Sequence, residues 1–208
     1  LDRAGIVGED GPTHHGAFDL AFLRAVPNLI IASPINEIEL RQMLYTAYCQ
    51  REKPFVIRYP RGRGVLQNWK VPFEELPIGK AQILKKGEKM AILSLGPLGN
   101  FVAEALETLR EENIMPAHIN IRFLKPLDYD MLKEISSQYN TLITVEDGTE
   151  LGGLYSAVSE YLSENHLQNK LYKIALPDKF IEHGSADSLY VQLGMDRKGI
   201  ADLIRKHY

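Results

Sequence analysis

Short apolar runs alternate with amphipathic stretches along the whole chain, and this alternation predicts its elements. Near the start, residues 17–26 predict a short helix that Pro27 ends, and residues 28–33 predict a buried strand. A second helix is expected to begin at Ser33-Pro34, because proline suits the first helical position. Its predicted apolar face follows i, i+3, i+4, i+7 and i+8 spacing through Leu40, Met43, Leu44, Ala47 and Tyr48. Residues 55–59 then predict a strand.

A second series of strands and helices begins at Met90. Strands are predicted over residues 90–96, 118–124, 141–147 and 170–176. Helices are predicted between and after them, over residues 101–113, 127–139, 152–165 and 195–208. In the last helix, Asp196 suits the N-cap, and Ile200, Leu203 and Ile204 are expected to form the buried stripe.

This order predicts the fold class and the domain organisation. Strands that alternate with helices form βαβ units, so we expect an α/β protein with two consecutive α/β domains and mainly parallel sheets. The first would comprise residues 1–63. Residues 64–79 contain two prolines and two glycines with little periodicity, which is typical of a linker. The second domain would then comprise residues 80–208.

Composition and charge narrow the function classes. The 208 residues are 45% hydrophobic and 25% charged, which indicates a globular chain. A net charge of −3 makes nucleic acid an unlikely partner, because a phosphate-binding face usually gives a basic excess. The single cysteine, Cys49, excludes an internal disulfide framework, and no apolar run approaches the ~20 residues of a membrane helix. We therefore expect a protein of the cytoplasm with no membrane partner.

The first residues of the sequence indicate that this chain is a fragment of a longer polypeptide. The sequence opens at Leu1, and within ten residues it reaches a polar, glycine-rich segment with no preceding apolar region. This arrangement does not fit a secretion signal. A processed terminus would also fit, but we expect a piece of a longer polypeptide that lacks its earlier strands.

The segment Gly8–Gly16, GEDGPTHHG, is the densest group of candidate chemistry. Its glycines and proline predict a loop whose backbone can approach a ligand, and Asp10 and His14 lie four residues apart within it. A carboxylate and an imidazole at this spacing can bind a polyol or carbonyl compound. Composition alone favours a plain turn with solvated histidines. No third ligand completes a metal site with His14 and His15.

The segment Arg58–Gly64, RYPRGRG, follows a predicted strand directly. Three arginines on a turn at the carboxyl end of a strand can hold a phosphate, because guanidinium groups bind phosphate oxygens bidentately. A solvated basic turn or an ion pair with nearby acids fits equally well. Two glycine-rich turns, around Gly96 and Gly152-Gly153, match no nucleotide-binding motif and indicate helix–sheet packing.

Together these segments resemble one enzyme family. The stretches DRAGIVGEDGPTHHGAFDLAFLRAVPNL, ASPINEIELRQMLYTAY and FVIRYPRG resemble 1-deoxy-D-xylulose-5-phosphate synthases, which are thiamine-diphosphate enzymes related to transketolase. Later stretches, among them LPIGKAQILKKGEKMAIL, INIRFLKPLD and LPDKFIEHGS, resemble the C-terminal domain of that family. The resemblance therefore covers essentially the whole chain. It implies that residues 1–63 are the C-terminal half of a pyrimidine-binding domain and residues 80–208 a transketolase C-terminal domain.

The resemblance implies a reaction and a role for three residues. The reaction is decarboxylation of pyruvate and condensation with D-glyceraldehyde 3-phosphate to give 1-deoxy-D-xylulose 5-phosphate, which feeds isoprenoid and thiamine synthesis. Asp10 and His14 fall where the family places catalytic polar groups of the substrate channel. Arg61 falls where the family binds the phosphate of the acceptor, whereas Arg58 is expected to be structural. A homodimer is also implied.

The cofactors implied are thiamine diphosphate and Mg²⁺, but this chain lacks the family's residues for them. It has no GDG motif, and its only Glu-Asp pairs are Glu9-Asp10 and Glu146-Asp147. We therefore expect no cofactor-binding or metal-ligating residue here and no activity from this chain alone. Three alternatives remain: a transketolase, a 2-oxo-acid dehydrogenase β subunit, and a non-catalytic C-terminal module for dimerisation.

Overall fold

A computed structural model describes all 208 residues and contains seven helices and eight strands. The helices are α1 (Asp19–Arg24), α2 (Glu37–Cys49), α3 (Leu98–Arg110), α4 (Tyr129–Gln138), α5 (Leu154–Glu164), α6 (Ala186–Gln192) and α7 (Arg197–His207). The strands are β1 (Ile30–Ala32), β2 (Phe55–Ile57), β3 (Gln82–Lys85), β4 (Met90–Leu95), β5 (Ala117–Asn120), β6 (Phe123–Lys125), β7 (Thr141–Thr149) and β8 (Lys170–Leu176).

The larger sheet has five strands in the order β3-β5-β4-β7-β8. Strand β4 pairs in parallel with β5 and β7, β8 pairs in parallel with β7, and only the edge strand β3 is antiparallel. Every residue of β4 is buried, as the continuous apolar run Met90–Leu95 predicts for a strand covered on both faces. This is the mainly parallel α/β sheet that the sequence predicts.

Two hydrophobic cores lie on the two faces of this sheet. Along β4, Met90 and Ile92 point into a core with α3, α6 and α7, whereas Leu93 and Leu95 point into a core with α1, α4 and α5. This alternation is the period-two pattern of a strand. The cap of α7 is as predicted, since the Asp196 side chain accepts a hydrogen bond from the Gly199 amide.

The smaller sheet has the order β2-β1-β6, and it corrects one prediction. Residues 118–124 do not form a single strand: β5 ends at Asn120 and β6 begins at Phe123, in the other sheet. The break between the two strands is accompanied by polar contacts to a distant residue. Arg122 takes a left-handed φ of 60°, and Asn120 and Arg122 both donate hydrogen bonds to the buried Glu39 carboxylate. Strand β6 then pairs antiparallel with β1.

Helix α2 begins later than predicted. Asn36, not Ser33, is its N-cap and accepts a hydrogen bond from the Glu39 amide, so Pro34 lies before the helix. Its predicted apolar face is only partly buried: Leu44 and Tyr48 are 54% and 73% exposed. Strand β3 and helix α6 were not predicted from the apolar pattern.

Residues 64–79 contain no helix or strand, although Leu76 is buried against the smaller sheet and its amide donates to the Thr46 hydroxyl. The domain boundaries given above stay a prediction. None of the helices has the length and apolar character needed to cross a membrane.

His118 makes the stability of the fold depend on pH. It lies in β5, almost completely buried, with its Nε2 2.8 Å from the Ser94 hydroxyl, and burial lowers its pKa from 6.5 to about 4. The unfolded chain therefore binds a proton between pH 6.5 and 4 that the folded chain does not, so stability falls as the pH falls through this window. From pH 7 to pH 5 this group should cost about 2 kcal/mol.

Urea unfolding of the wild type and of His118→Gln at pH 7 and pH 5 measures this contribution. The wild type should lose about 2 kcal/mol more than the variant between the two values. His166→Gln, at an exposed histidine, is the control and should behave as the wild type. Equal pH dependence of wild type and His118→Gln would contradict the assignment.

Candidate functional site

The glycine-rich segment forms a tight loop at one edge of the molecule. The amides of Gly11 and His14 donate to the carbonyls of Gly8 and Gly11 at 3.1 and 3.0 Å, which closes two successive turns. Gly8 and Gly11 have φ of 104° and 73°, a conformation that side chains disfavour, and this explains the glycines. The Gly8 carbonyl also accepts from the Gly184 amide at 3.3 Å, so the loop lies against the segment that precedes α6.

Asp10 and Arg61, which are 51 residues apart, come together at this loop. The Arg61 guanidinium donates to the Asp10 carboxylate, and Arg3 reaches the same oxygen at 3.4 Å. All three side chains remain solvent-accessible, at 36% for Asp10, 57% for Arg61 and 41% for Arg3. Two guanidinium groups that converge on one carboxylate at the surface form a cationic cluster in which an anion can compete with that carboxylate.

The two histidines of the loop differ. His14 is exposed, and its Nδ1 lies 3.0 Å from the Thr13 hydroxyl. His15 accepts a hydrogen bond from the Val7 amide at its Nδ1, so the proton of the neutral ring lies on Nε2, 3.5 Å from the Glu182 carbonyl. His14 is thus exposed to solvent on the same loop as Asp10, whereas His15 holds the loop to neighbouring backbone.

The three arginines of RYPRGRG face different surroundings. Arg58 is completely buried beneath the loop, and Arg61 is paired with Asp10. Arg63 is exposed and forms no hydrogen bond with the loop or with Asp10. Of the three arginines, the structure thus brings Arg61, the one for which the sequence predicts phosphate binding, to the loop, together with Arg3, which the sequence analysis did not single out. Backbone pairing of residues 4 and 5 with Gly16, and of residues 1 and 4 with Tyr59, brings Arg3 to the site, and no local motif signals it.

At the glycine-rich turn Gly152-Gly153, a carboxylate of the protein itself binds the start of the following helix. The amides of Leu154 and Tyr155 at the start of α5 donate to the Glu146 carboxylate at 2.8 and 2.9 Å. Burial raises the pKa of Glu146 to about 7, while these hydrogen bonds act to lower it. The amides of Leu154 and Tyr155 are therefore already occupied by a carboxylate of the protein. No group of three His, Cys, Asp or Glu side chains is arranged to hold a metal ion.

The cluster predicts how an anion competes for the site. Asp10→Asn removes the charge that neutralises Arg3 and Arg61, so the affinity of the chain for inorganic phosphate should rise by about three- to tenfold at low salt, and Arg61→Ala should lower it by a similar factor. Amide chemical shifts of residues 8–16, followed in a phosphate titration, measure both effects. Arg63→Ala is the matched control and should leave the affinity unchanged. An Asp10→Asn variant that binds phosphate more weakly than the wild type would contradict this arrangement.

Comparison with known proteins places this chain in a family. The family model for the transketolase pyrimidine-binding domain matches residues 1–65, and the model for the transketolase C-terminal domain matches residues 79–200. A solved structure described as a split-gene transketolase, inactive beta4 tetramer, superposes with a TM-score of 0.82 at 26% identity, covering 94% of this chain and 62% of that one.

Curated bacterial proteins are more similar still. The 1-deoxy-D-xylulose-5-phosphate synthases of Parabacteroides distasonis and Cytophaga hutchinsonii are 51% and 50% identical over 99% of this chain. That of Dictyoglomus turgidum is 47% identical over 98%. The chain spans about a third of the length of these relatives, 33%, 32% and 33% respectively. The two matching domain models, with a fold shared over 94% of the residues, establish that the chain belongs to the transketolase family.

Proposed function

We propose that this chain is part of a 1-deoxy-D-xylulose-5-phosphate synthase, which condenses pyruvate, with loss of CO₂, and D-glyceraldehyde 3-phosphate. Relatives that carry this name are about 50% identical over nearly the entire chain. The structural observation that carries the proposal is the convergence of Arg3 and Arg61 on Asp10, in the loop that also carries the exposed His14. A phosphorylated aldehyde needs a cationic subsite for its phosphate and polar groups for its oxygens, and this cluster offers both.

Arg61, with Arg3 beside it, would hold the phosphate of the aldehyde. Guanidinium groups form charge-assisted hydrogen bonds to phosphate oxygens, and the −2 charge of the phosphate competes well with the single charge of Asp10. Because the phosphate is remote from the reacting carbon, its binding orients the aldehyde and supplies energy for the transition state.

Asp10 and His14 would act nearer to the reacting carbon. Once the phosphate takes over the guanidinium groups, the Asp10 carboxylate is free to accept a hydrogen bond from a hydroxyl group of the aldehyde. His14 is exposed on the same loop, and an imidazole can donate a proton to the carbonyl oxygen as it gains negative charge. The two residues thus orient the acceptor and neutralise the charge that develops on it.

The residues present here do not fit Mg²⁺ and a diphosphate. The loop offers a single carboxylate at the cluster, and no group of carboxylates or histidines elsewhere in the chain is arranged to hold the Mg²⁺ that accompanies a diphosphate. We therefore assign thiamine diphosphate, whose chemistry makes pyruvate decarboxylation possible, and Mg²⁺ to parts of a longer polypeptide about three times the length of this chain. This chain alone would then be inactive.

The partners follow from the same proposal. The substrates are pyruvate and D-glyceraldehyde 3-phosphate, the enzyme is a homodimer, and it works in the bacterial cytoplasm. A second candidate, the β subunit of a split transketolase, is favoured by the similarity to the split-gene structure. Its sequence identity of 26%, against about 50% for the synthases, places it second.

The test of the reaction uses the full-length gene product that contains this chain, with thiamine diphosphate and Mg²⁺. CO₂ release from pyruvate is measured with and without D-glyceraldehyde 3-phosphate, and a ketose phosphate serves as the control donor. A sharp rise of CO₂ release on addition of the aldehyde is the expected result. Two-carbon transfer from the ketose without CO₂ release would identify a transketolase. The absence of both reactions would favour a non-catalytic module for dimerisation.

The same assay tests the phosphate subsite. Arg61→Ala should raise the KM for D-glyceraldehyde 3-phosphate by about 30-fold, because a hydrogen bond to a charged group contributes roughly 2 kcal/mol. The KM for unphosphorylated glyceraldehyde should change little, since it has no group for Arg61 to bind. Arg63→Ala, on the same turn, should leave both values as in the wild type. An equal rise for both aldehydes in Arg61→Ala would contradict a phosphate-binding role.

A further inference from the structure

Arg58 directly follows β2 and has no solvent exposure. Its side chain contacts residues near the start of the chain and residues of β7. Its Nη2 donates to the Gly16 carbonyl at 2.6 Å and to the Asp147 backbone carbonyl at 3.2 Å, and its Nη1 donates to the Asp147 carboxylate. Its Nε lies 3.5 Å from the Asp19 carboxylate. One planar guanidinium group thus joins the smaller sheet, the end of the site loop and the carboxyl-terminal half of β7.

The segments that carry the site residues rest directly on this group. Gly16 ends the loop of Asp10 and His14, and a Cβ added there would lie 2.0 Å from the Arg3 carbonyl oxygen. Gly5, two residues after Arg3, is packed as closely on Asp147, since a Cβ on it would lie 2.5 Å from the carboxylate. The Ala17 carbonyl accepts from the Thr149 amide of β7 at 2.7 Å. Arg3 and Asp10 therefore take their positions from backbone held by Arg58 and Asp147.

A contribution to stability does not by itself explain why the charges of Arg58 and Asp147 are both completely buried. The loss of solvation on burial of an ion pair offsets much of its attraction, and apolar side chains of similar volume often stabilise a fold as well. The pair also leaves the Arg58 Nε and Asp147 Oδ2 atoms without a hydrogen bond. What the pair does supply is fixed geometry, because a guanidinium fork has directional donors and Gly16 has no side chain by which it could otherwise be held.

We propose that Arg58 and Asp147 are positioning residues, which hold the loop 8–16 and Arg3 so that the cationic cluster is formed before the substrate binds. Neither residue touches the substrate. Through Asp147, the end of strand β7 contributes to a site whose functional side chains all lie within the first 61 residues. The expected effect of the pair on turnover rests on the proposed function. Its expected effect on the loop rests on the observed contacts alone.

The experiment compares three variants of the full-length polypeptide. Arg58→Lys keeps the charge and removes the fork, and Asp147→Asn removes the charge and keeps the shape. Arg122→Lys is the matched control, because Arg122 is also largely buried and bonded to a buried carboxylate, Glu39, yet none of its hydrogen bonds reaches the loop. Hydrogen exchange of the Gly11 and His14 amides reports on the loop, and amides of β4 report on global stability.

Arg58→Lys and Asp147→Asn should each speed exchange of the two loop amides at least tenfold while exchange of the β4 amides changes much less. In the activity assay, the preference for phosphorylated over unphosphorylated glyceraldehyde, compared as kcat/KM, should fall at least tenfold in both. Arg122→Lys should change neither readout. If Arg58→Lys does not fold, Asp147→Asn provides both measurements.

Two results would overturn the proposal. One is exchange that rises equally in the loop and in β4, which would mean that the pair only stabilises the fold. The other is a loop that loosens as much in Arg122→Lys as in Arg58→Lys. A wild-type enzyme without synthase activity would contradict the proposed function instead, and the exchange readout would still decide the role of the pair.

Discussion

The buried guanidinium of Arg58 is the constraint on which the geometry of the site depends. A charge without solvent must have fixed partners, and those of Arg58 come from two distant segments of the chain, Gly16 and Asp19 in one and Asp147 in the other. Meeting this requirement brings the end of β2, the site loop and the end of β7 to one place. The exposed cluster at the loop is built on that buried layer, as an accurate site needs rigid support beneath its surface groups.

The surface layer and the buried layer use arginine for different purposes. Arg58 is completely buried and donates hydrogen bonds to the backbone carbonyls of Gly16 and Asp147, so it fixes backbone. Arg61, three residues later on the same strand end, is more than half exposed and shares its partner Asp10 with Arg3. An exposed ion pair of this kind contributes little to stability and is readily opened by a competing anion. The turn RYPRGRG thus combines one arginine that cannot move with one that can change its partner.

Much of the fold was predictable from local sequence, because its central strands and helices bury continuous patterns. The apolar run over residues 90–96 predicted a strand, which the structure shows to be fully buried, and Asp196 predicted the start of α7. The predictions failed where residues distant in sequence determine the secondary structure. The break between β5 and β6 depends on Glu39, some 80 positions earlier, and strand β3 exposes Ile83 and Leu84, so it lacks a buried pattern. Loop and strand-end signals drew attention to the segments of Asp10, His14 and Arg61, and the family resemblance singled out these residues, whereas Arg3 and Asp147 carry no such signal and approach them through long-range packing.

The central claim is that the loop 8–16 with Arg3 and Arg61 is the phosphate subsite of a synthase that acts on a phosphorylated aldehyde. A crystal structure of the full-length polypeptide with D-glyceraldehyde 3-phosphate tests it most directly. The account predicts a phosphate within hydrogen-bond distance of Arg61 and Arg3, with the Asp10 carboxylate released from Arg61 and turned towards a hydroxyl group of the aldehyde. A bound aldehyde whose phosphate lies elsewhere, with the pair of Asp10 and Arg61 still closed, would contradict it.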